Sequence, residues 1–173
     1  MNPAPAADGR HQASPIASPP AARTRPEPGD FFTFDVPMRW GDMDAQGHLN
    51  NAVYFRLMEE ARVQMMHGAG VPYPPGTGMV LAHASCDFLR SVTYPATVRV
   101  VQTVVRIGRS SAEIGVTMAD ADQPDAPHYA RARTVLVWMD VVRGTSAPWA
   151  PEILAGLARQ LSQPALAGRA QAV

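Results

Sequence analysis

The chain has 173 residues, with 15 basic and 15 acidic groups and a formal net charge of zero. A protein that tracks nucleic-acid phosphates normally carries a basic excess or stripe, so this balance argues against that class. Every basic residue is arginine, which excludes lysine chemistry such as a Schiff base.

Residues 1–29 are rich in Pro, Ala and Ser and poor in large apolar side chains. Such a segment cannot bury enough surface to offset its ordering entropy, so it reads as disordered. It has no continuous apolar core of the kind a secretory signal needs. One domain is expected over residues 30–160, followed by a flexible tail at 161–173. Phe32, Phe34 and Val36 alternate with polar or proline positions, which predicts a first strand. Asn51 to His67 reads as a helix of about five turns, with Tyr54, Leu57, Met58, Ala61 and Met65 on one face. Asn50 or Asn51 can cap its start, and Gly68 stands where a C-terminal glycine cap belongs. A Pro/Gly-rich loop (71–78) follows, then strands near 79–90, 97–107, 111–120 and 129–142. A short amphipathic helix opens at Pro151, with Ile153, Leu154, Leu157 and Leu161 as its stripe. No run approaches the roughly 20 apolar residues of a membrane span. The lone cysteine, Cys86, lies in an apolar strand-like run; it rules out an intramolecular disulfide and fits a reducing, cytoplasmic setting.

The order strand, long helix, four successive strands predicts an α+β fold. Its antiparallel sheet of about five strands covers one apolar central helix. The apolar surplus of that helix favours self-association.

The polar run Arg39 to Asn51 sits between the first strand and the helix. It holds Asp42, Asp44, His48, Gln46, Asn50 and Asn51. Such residues favour turns and caps, so a solvated loop is one reading. A reaction centre at a strand–helix junction is the other. A metal site built on Asp42, Asp44 and His48 would lack further ligands in the sequence, and none is expected.

Asp42-Met43-Asp44-Ala45-Gln46-Gly47-His48-Leu49-Asn50-Asn51-Ala52-Val53-Tyr54, continuing to Glu59-Glu60-Ala61-Arg62, resembles the acyl-CoA thioesterases of the hot-dog fold. The likeness is narrower to the 4-hydroxybenzoyl-CoA thioesterase-like group. Asp87-Phe88-Leu89-Arg90, Ile107-Gly108-Arg109-Ser110-Ser111 and Val137-Trp138-Met139-Asp140 add to it in the same order. The resemblance spans roughly residues 33–155. It implies a sheet wrapped around a central helix, a dimer or tetramer with sites at subunit interfaces, and no metal or organic cofactor.

By position in the motif, Asp44 matches the catalytic carboxylate. It would act on a thioester of coenzyme A or of an acyl carrier protein, either as general base or as nucleophile. The amide N–H around Asn51 would polarise the thioester carbonyl from the helix N-terminus. His48 either positions water and the carbonyl or simply binds the loop. Asp42 reads as structural. Gln46 and Tyr54 are candidate substrate contacts, though Tyr54 also falls on the core face. Arg90, Arg109 and Ser110 are turn-proximal, and guanidinium groups there suit the phosphates of coenzyme A. Glu59 and Glu60 rank lower, since Glu60 can pair with Arg56 four residues earlier. A hot-dog enoyl-thioester hydratase would use an Asp-x4-His pair or a His with a helix Glu, whereas Asp44 and His48 are spaced Asp-x3-His. A non-catalytic acyl-thioester-binding protein is the remaining alternative.

Overall fold

The computed structural model describes residues 23–70 and 74–161. Of the loose ends expected at residues 1–29 and 161–173, residues 1–22 and 162–173 lie outside the described residues.

β1 (Phe31–Pro37) leads through a 3-10 turn (Trp40–Asp42) to helix α1 (Asn51–Gly68). Then come β2 (Thr77–Phe88), β3 (Thr97–Ile107), β4 (Ser111–Asp120), β5 (Ala130–Asp140), the two-residue β6 (Thr145–Ser146) and helix α2 (Pro151–Gln160). The strands form one antiparallel sheet in the order β1-β3-β4-β5-β2, and β6 pairs with the end of β5. The α+β architecture expected from the sequence is therefore present, with one strand more than the pattern revealed. Two residues are too few to leave a period-two signature.

Period-two patterning drives this sheet. Val98, Val100, Gln102 and Val104 of β3 are buried, as are Ala112, Ile114, Val116 and Met118 of β4. On β5 the buried set is Ala130, Thr134, Leu136 and Trp138. Helix α1 lies on this face, since Gln102 Nε2 donates to the Met58 carbonyl at 2.8 Å. Its buried residues are Tyr54, Leu57, Met58, Ala61 and Met65 of the predicted face and Met66 beside it.

Strand β2 breaks the pattern. It is an edge strand, and both Val80 and Leu81 are exposed, as is Phe88 at its end. Leu81 faces Leu136, and Ala84 faces Thr134, across the β2–β5 ladder. The inner face of β2 is thus apolar yet incompletely covered by α1. An open groove of about 290 Å³ runs there, lined by Ala52, Phe55, Met58, Glu59, Leu81 and Thr134 among others.

Two local expectations change. The α1 helix runs through Gly68, and the left-handed glycine after its C-cap Ala69 is Gly70, at φ +65°. Fixed contacts also begin before residue 30. Arg23 pairs with the buried Asp30, Glu27 N donates to Asp30 Oδ2 at 2.7 Å, and Gly29 N donates to Val104 O at 2.8 Å. A carboxylate taken out of water needs such partners, and they tie the preceding residues down.

Candidate active site

The junction between β1 and α1 is a closed loop. Met43 and Leu49 form an isolated antiparallel bridge, and Asp44 N donates to His48 O at 2.8 Å. Gly47, at φ +75°, makes the reversal that brings the chain back. Leu49 is buried and donates from its amide to Val92 O at 2.8 Å, which fastens the loop to the β2–β3 connection.

Asp44 is half-buried at the head of this loop. Its Oδ1 accepts from the amides of Gln46 at 2.8 Å and His48 at 3.3 Å. Its Oδ2 has no hydrogen-bond partner among the described residues. One oxygen therefore fixes the carboxylate, and the other is available to water or an acyl carbon. Gln46 and His48 are exposed, and their side chains make no hydrogen bond with a described residue.

Helix α1 begins immediately after. Asn50 is its N-cap, with Oδ1 accepting from Ala52 N at 2.9 Å and its carbonyl accepting from Val53 N at 2.8 Å. The Asn51 amide, at the first helical position, has no acceptor among the described residues. It is one of the orphan donors of a helix N-terminus, where the backbone carries partial positive charge.

Asp42, two residues before Asp44, is 4% exposed. Its Oδ2 accepts from Arg39 N at 2.9 Å, and its Oδ1 meets the Arg56 guanidinium. Its own carbonyl accepts from Asn50 N at 3.0 Å. Burial pushes the carboxyl pKa up, but the Arg39 amide and the Arg56 guanidinium outweigh it and hold the group below the usual aspartate value. The expected Glu60–Arg56 pair is absent. Arg56 turns to Asp42 because a buried carboxylate gains more from a counter-charge than an exposed one, and Glu60 accepts from Gln64 Nε2 at 2.8 Å instead. Glu59 stands on the groove wall, 3.2 Å from Arg62.

Tyr54 is buried, and its ring meets Phe88 edge-on at 5.0 Å between centroids. Burial, then the neighbouring Cys86, raise its hydroxyl pKa. Burial, then Asp87, likewise push the Cys86 thiol up, against a nucleophilic role.

The candidate phosphate ligands divide. The Arg90 guanidinium stacks 4.4 Å above the Tyr129 ring and lines a groove of about 400 Å³ with Leu89, Ala126, Pro127, His128 and Arg131. Only Ser91 separates Arg90 from Val92, whose carbonyl holds Leu49, so Arg90 is close in sequence to the anchor of the Asp44 loop. Arg109 and Ser110 sit at the β3–β4 turn. Pro37, just before the loop, pairs with Thr97 at the other end of β3. The Arg109–Ser110 turn and the residue that precedes the Asp44 loop thus lie at opposite ends of β3, a strand about 30 Å long.

Sequence reasoning missed Arg56 as the partner of Asp42, and Thr134 as the buried hydroxyl residue of the groove. Neither is signalled by local spacing, because both depend on contacts distant in sequence. Among the described residues, no three His, Cys, Asp or Glu side chains converge to hold a metal.

The chain is similar in sequence and fold to several known proteins. A solved structure of the PA2801 protein of Pseudomonas aeruginosa, a candidate thioesterase, is 33% identical with a TM-score of 0.67. That match covers 72% of this chain and 96% of the other. A candidate acyl-CoA thioesterase from Xanthomonas campestris is 30% identical at a TM-score of 0.62, over 69% of this chain and 99% of that one. The 1,4-dihydroxy-2-naphthoyl-CoA thioesterase of Synechocystis, 18% identical over 73% of this chain and 95% of its own, shares the fold at a TM-score of 0.66. A candidate esterase of Aquifex aeolicus is 31% identical over 67 residues, a match spanning 52% of that protein and 36% of this chain. The model of the thioesterase-like superfamily matches residues 38–157, from the end of β1 into α2, and the chain belongs to that superfamily, with its hot-dog fold.

Proposed function

We propose that this protein hydrolyses acyl thioesters of coenzyme A or of an acyl carrier protein to the free acid and thiol. One observation carries the reading. Among the described residues, the half-buried Asp44 has one oxygen pinned by two loop amides and one with no hydrogen-bond partner, and the Asn51 amide, without an acceptor, stands at the start of α1 a few residues on.

In the general-base route Asp44 takes a proton from water as its oxygen adds to the thioester carbonyl. The C–S bond then breaks, and the proton passes to the departing thiolate. In the nucleophilic route Oδ2 adds to the carbonyl, the thiolate leaves, and water hydrolyses the resulting anhydride. Both routes place negative charge on the carbonyl oxygen, where a preorganised donor is worth roughly 3–4 kcal/mol. Neither needs a cofactor. His48, beside Asp44 on the loop, orients the water or the carbonyl, and Gln46 and Tyr54 border the substrate.

The cations of the Arg90 groove favour coenzyme A, whose phosphates they can bind. The acyl group lies in the groove between α1 and β2. A second copy of the chain covering the exposed face of β2 would enclose that groove, and it is the means by which Arg109 and Ser110 could reach a site. A cytoplasmic location completes the proposal.

The test is thiol release from a panel of acyl-CoAs by the wild type and by Asp44→Asn. Release by the wild type and its loss in the variant support the reading. No release at any chain length overturns the function, and release untouched by the substitution overturns the role of Asp44. Enoyl-CoA hydration, followed in parallel, distinguishes the hydratase alternative.

A further inference from the structure

We infer that Arg56 is a positioning residue: through the buried carboxylate of Asp42 it fixes the Asp44 carboxylate relative to the Asn51 amide. The inference rests on the hydrolytic role proposed for those two groups.

Asp42 joins three parts of the site. Oδ2 holds the incoming chain at Arg39 N, the main-chain carbonyl holds the helix start at Asn50 N, and Oδ1 holds the second turn of α1 at Arg56. Asp44 lies two residues beyond this junction, and Asn51 lies one residue beyond Asn50. The separation of the two reacting groups is thus set at a single residue, by its carboxylate and its main-chain carbonyl together.

The remaining ties are weaker constraints on that separation. The Asp44–His48 bonds close the loop on itself, and Leu49 N–Val92 O anchors its far arm to the β2–β3 connection. Neither connects the entry of the loop to the body of α1. The Arg56 contact does, because its guanidinium leaves α1 one turn beyond the first helical residues and reaches back to Asp42. Arg56 itself is half-exposed, with no other ion pair among the described residues. Asp42 is buried, and the loss of Arg56 leaves it with less charge compensation. Relaxation of the loop relative to the helix is the expected response.

A displacement of about 1 Å at a reacting group costs on the order of 100-fold in rate. Arg56→Gln is therefore expected to lower kcat for acyl-CoA hydrolysis by about 10- to 100-fold with little change in KM. Arg56→Lys, which keeps a charged donor, should recover much of it. The double variant Asp42→Asn/Arg56→Gln should be no worse than the poorer single variant, because the two residues act as one unit.

Amide hydrogen exchange provides a readout independent of activity. In Arg56→Gln, exchange should quicken at Asn50, His48 and their loop neighbours while the amides of β3 and β4 keep their protection. Unchanged loop exchange overturns the inference, whatever the wild type hydrolyses. So does a kcat within twofold of wild type, or a loss of activity that tracks a global loss of protection. An absence of any wild-type thiol release overturns the hydrolytic reading instead, and the exchange experiment still decides whether Arg56 orders the loop.

Discussion

The side-chain amide of Gln102, midway along β3, donates to the main-chain carbonyl of Met58 at 2.8 Å, and both residues are buried. This is a polar tether between sheet and helix inside an otherwise apolar layer. A typical buried hydrogen bond contributes about 1 kcal/mol net, and truncation in a core adds the cost of a cavity. Gln102→Leu should therefore lower stability by about 1 kcal/mol, and Gln102→Ala by about 2–4 kcal/mol. The urea midpoint at unchanged slope measures both. Thiol release should survive in the leucine variant, because the start of α1 is held by its own bonds to Asp42 and Asn50.

Asp42 makes stability depend on acid. Its folded-state pKa lies below the ordinary aspartate value, so its contribution is full above the unfolded pKa of about 3.9. That contribution is lost as pH falls through the folded pKa. Asp42→Asn should be markedly less stable than wild type near neutrality. The gap should shrink as the pH is taken below about 4. Melting curves of the two proteins at stepped pH check this. A gap that stays constant through the acid range would remove the charge of Asp42 from the account.

Much of this arrangement was legible in the sequence. The apolar spacing that predicts α1 works because only one face of that helix meets the sheet. The alternation of β3, β4 and β5 works because their inner faces are covered and their outer faces are not. The pattern blurs in β2, an edge strand whose inner face is only partly covered: the strand itself was read, two residues late at each end, but its exposure was not. The site was legible as a polar loop before a helix, and Asn50 does cap that helix. The partner of Arg56 was not legible. Local spacing offers Glu60, whereas burial selects Asp42, and burial is a property of the assembled fold.

The two roles of the Asp44 carboxylate can be separated by substitution. Its Oδ1 accepts from two amides, a task that an asparagine side-chain oxygen can also perform. Asn has no negative charge and is a poor base and nucleophile. Asp44→Asn should thus keep the melting temperature near wild type while hydrolysis falls by roughly 100- to 10,000-fold. Asp44→Ala should lose activity similarly and also lose about 1 kcal/mol, because the loop amides lose their acceptor. Thermal melts set beside thiol release discriminate the two effects. Equal stability in both variants would mean that the carboxylate does not order the loop.

Arg90 offers a test of which thioester carrier the protein prefers. Its guanidinium is oriented over Tyr129, whose hydroxyl in turn donates to Asp120 Oδ2 at 2.8 Å. The ring thus holds the cation at the mouth of a groove that also carries His128 and Arg131. A phosphate bound there gains a charge-assisted hydrogen bond in a partly hydrated setting. Arg90→Ala should raise KM for acyl-CoA by about 3- to 10-fold, with kcat largely retained. The same substitution should leave KM unchanged for N-acetylcysteamine thioesters, which have no phosphates. Added salt should narrow the difference between wild type and variant, because a half-exposed ion pair is screened. Steady-state kinetics on the two substrate types at low and high ionic strength check all three expectations. An equal rise in KM for the truncated thioester would move Arg90 from phosphate binding to the support of the β2–β3 connection.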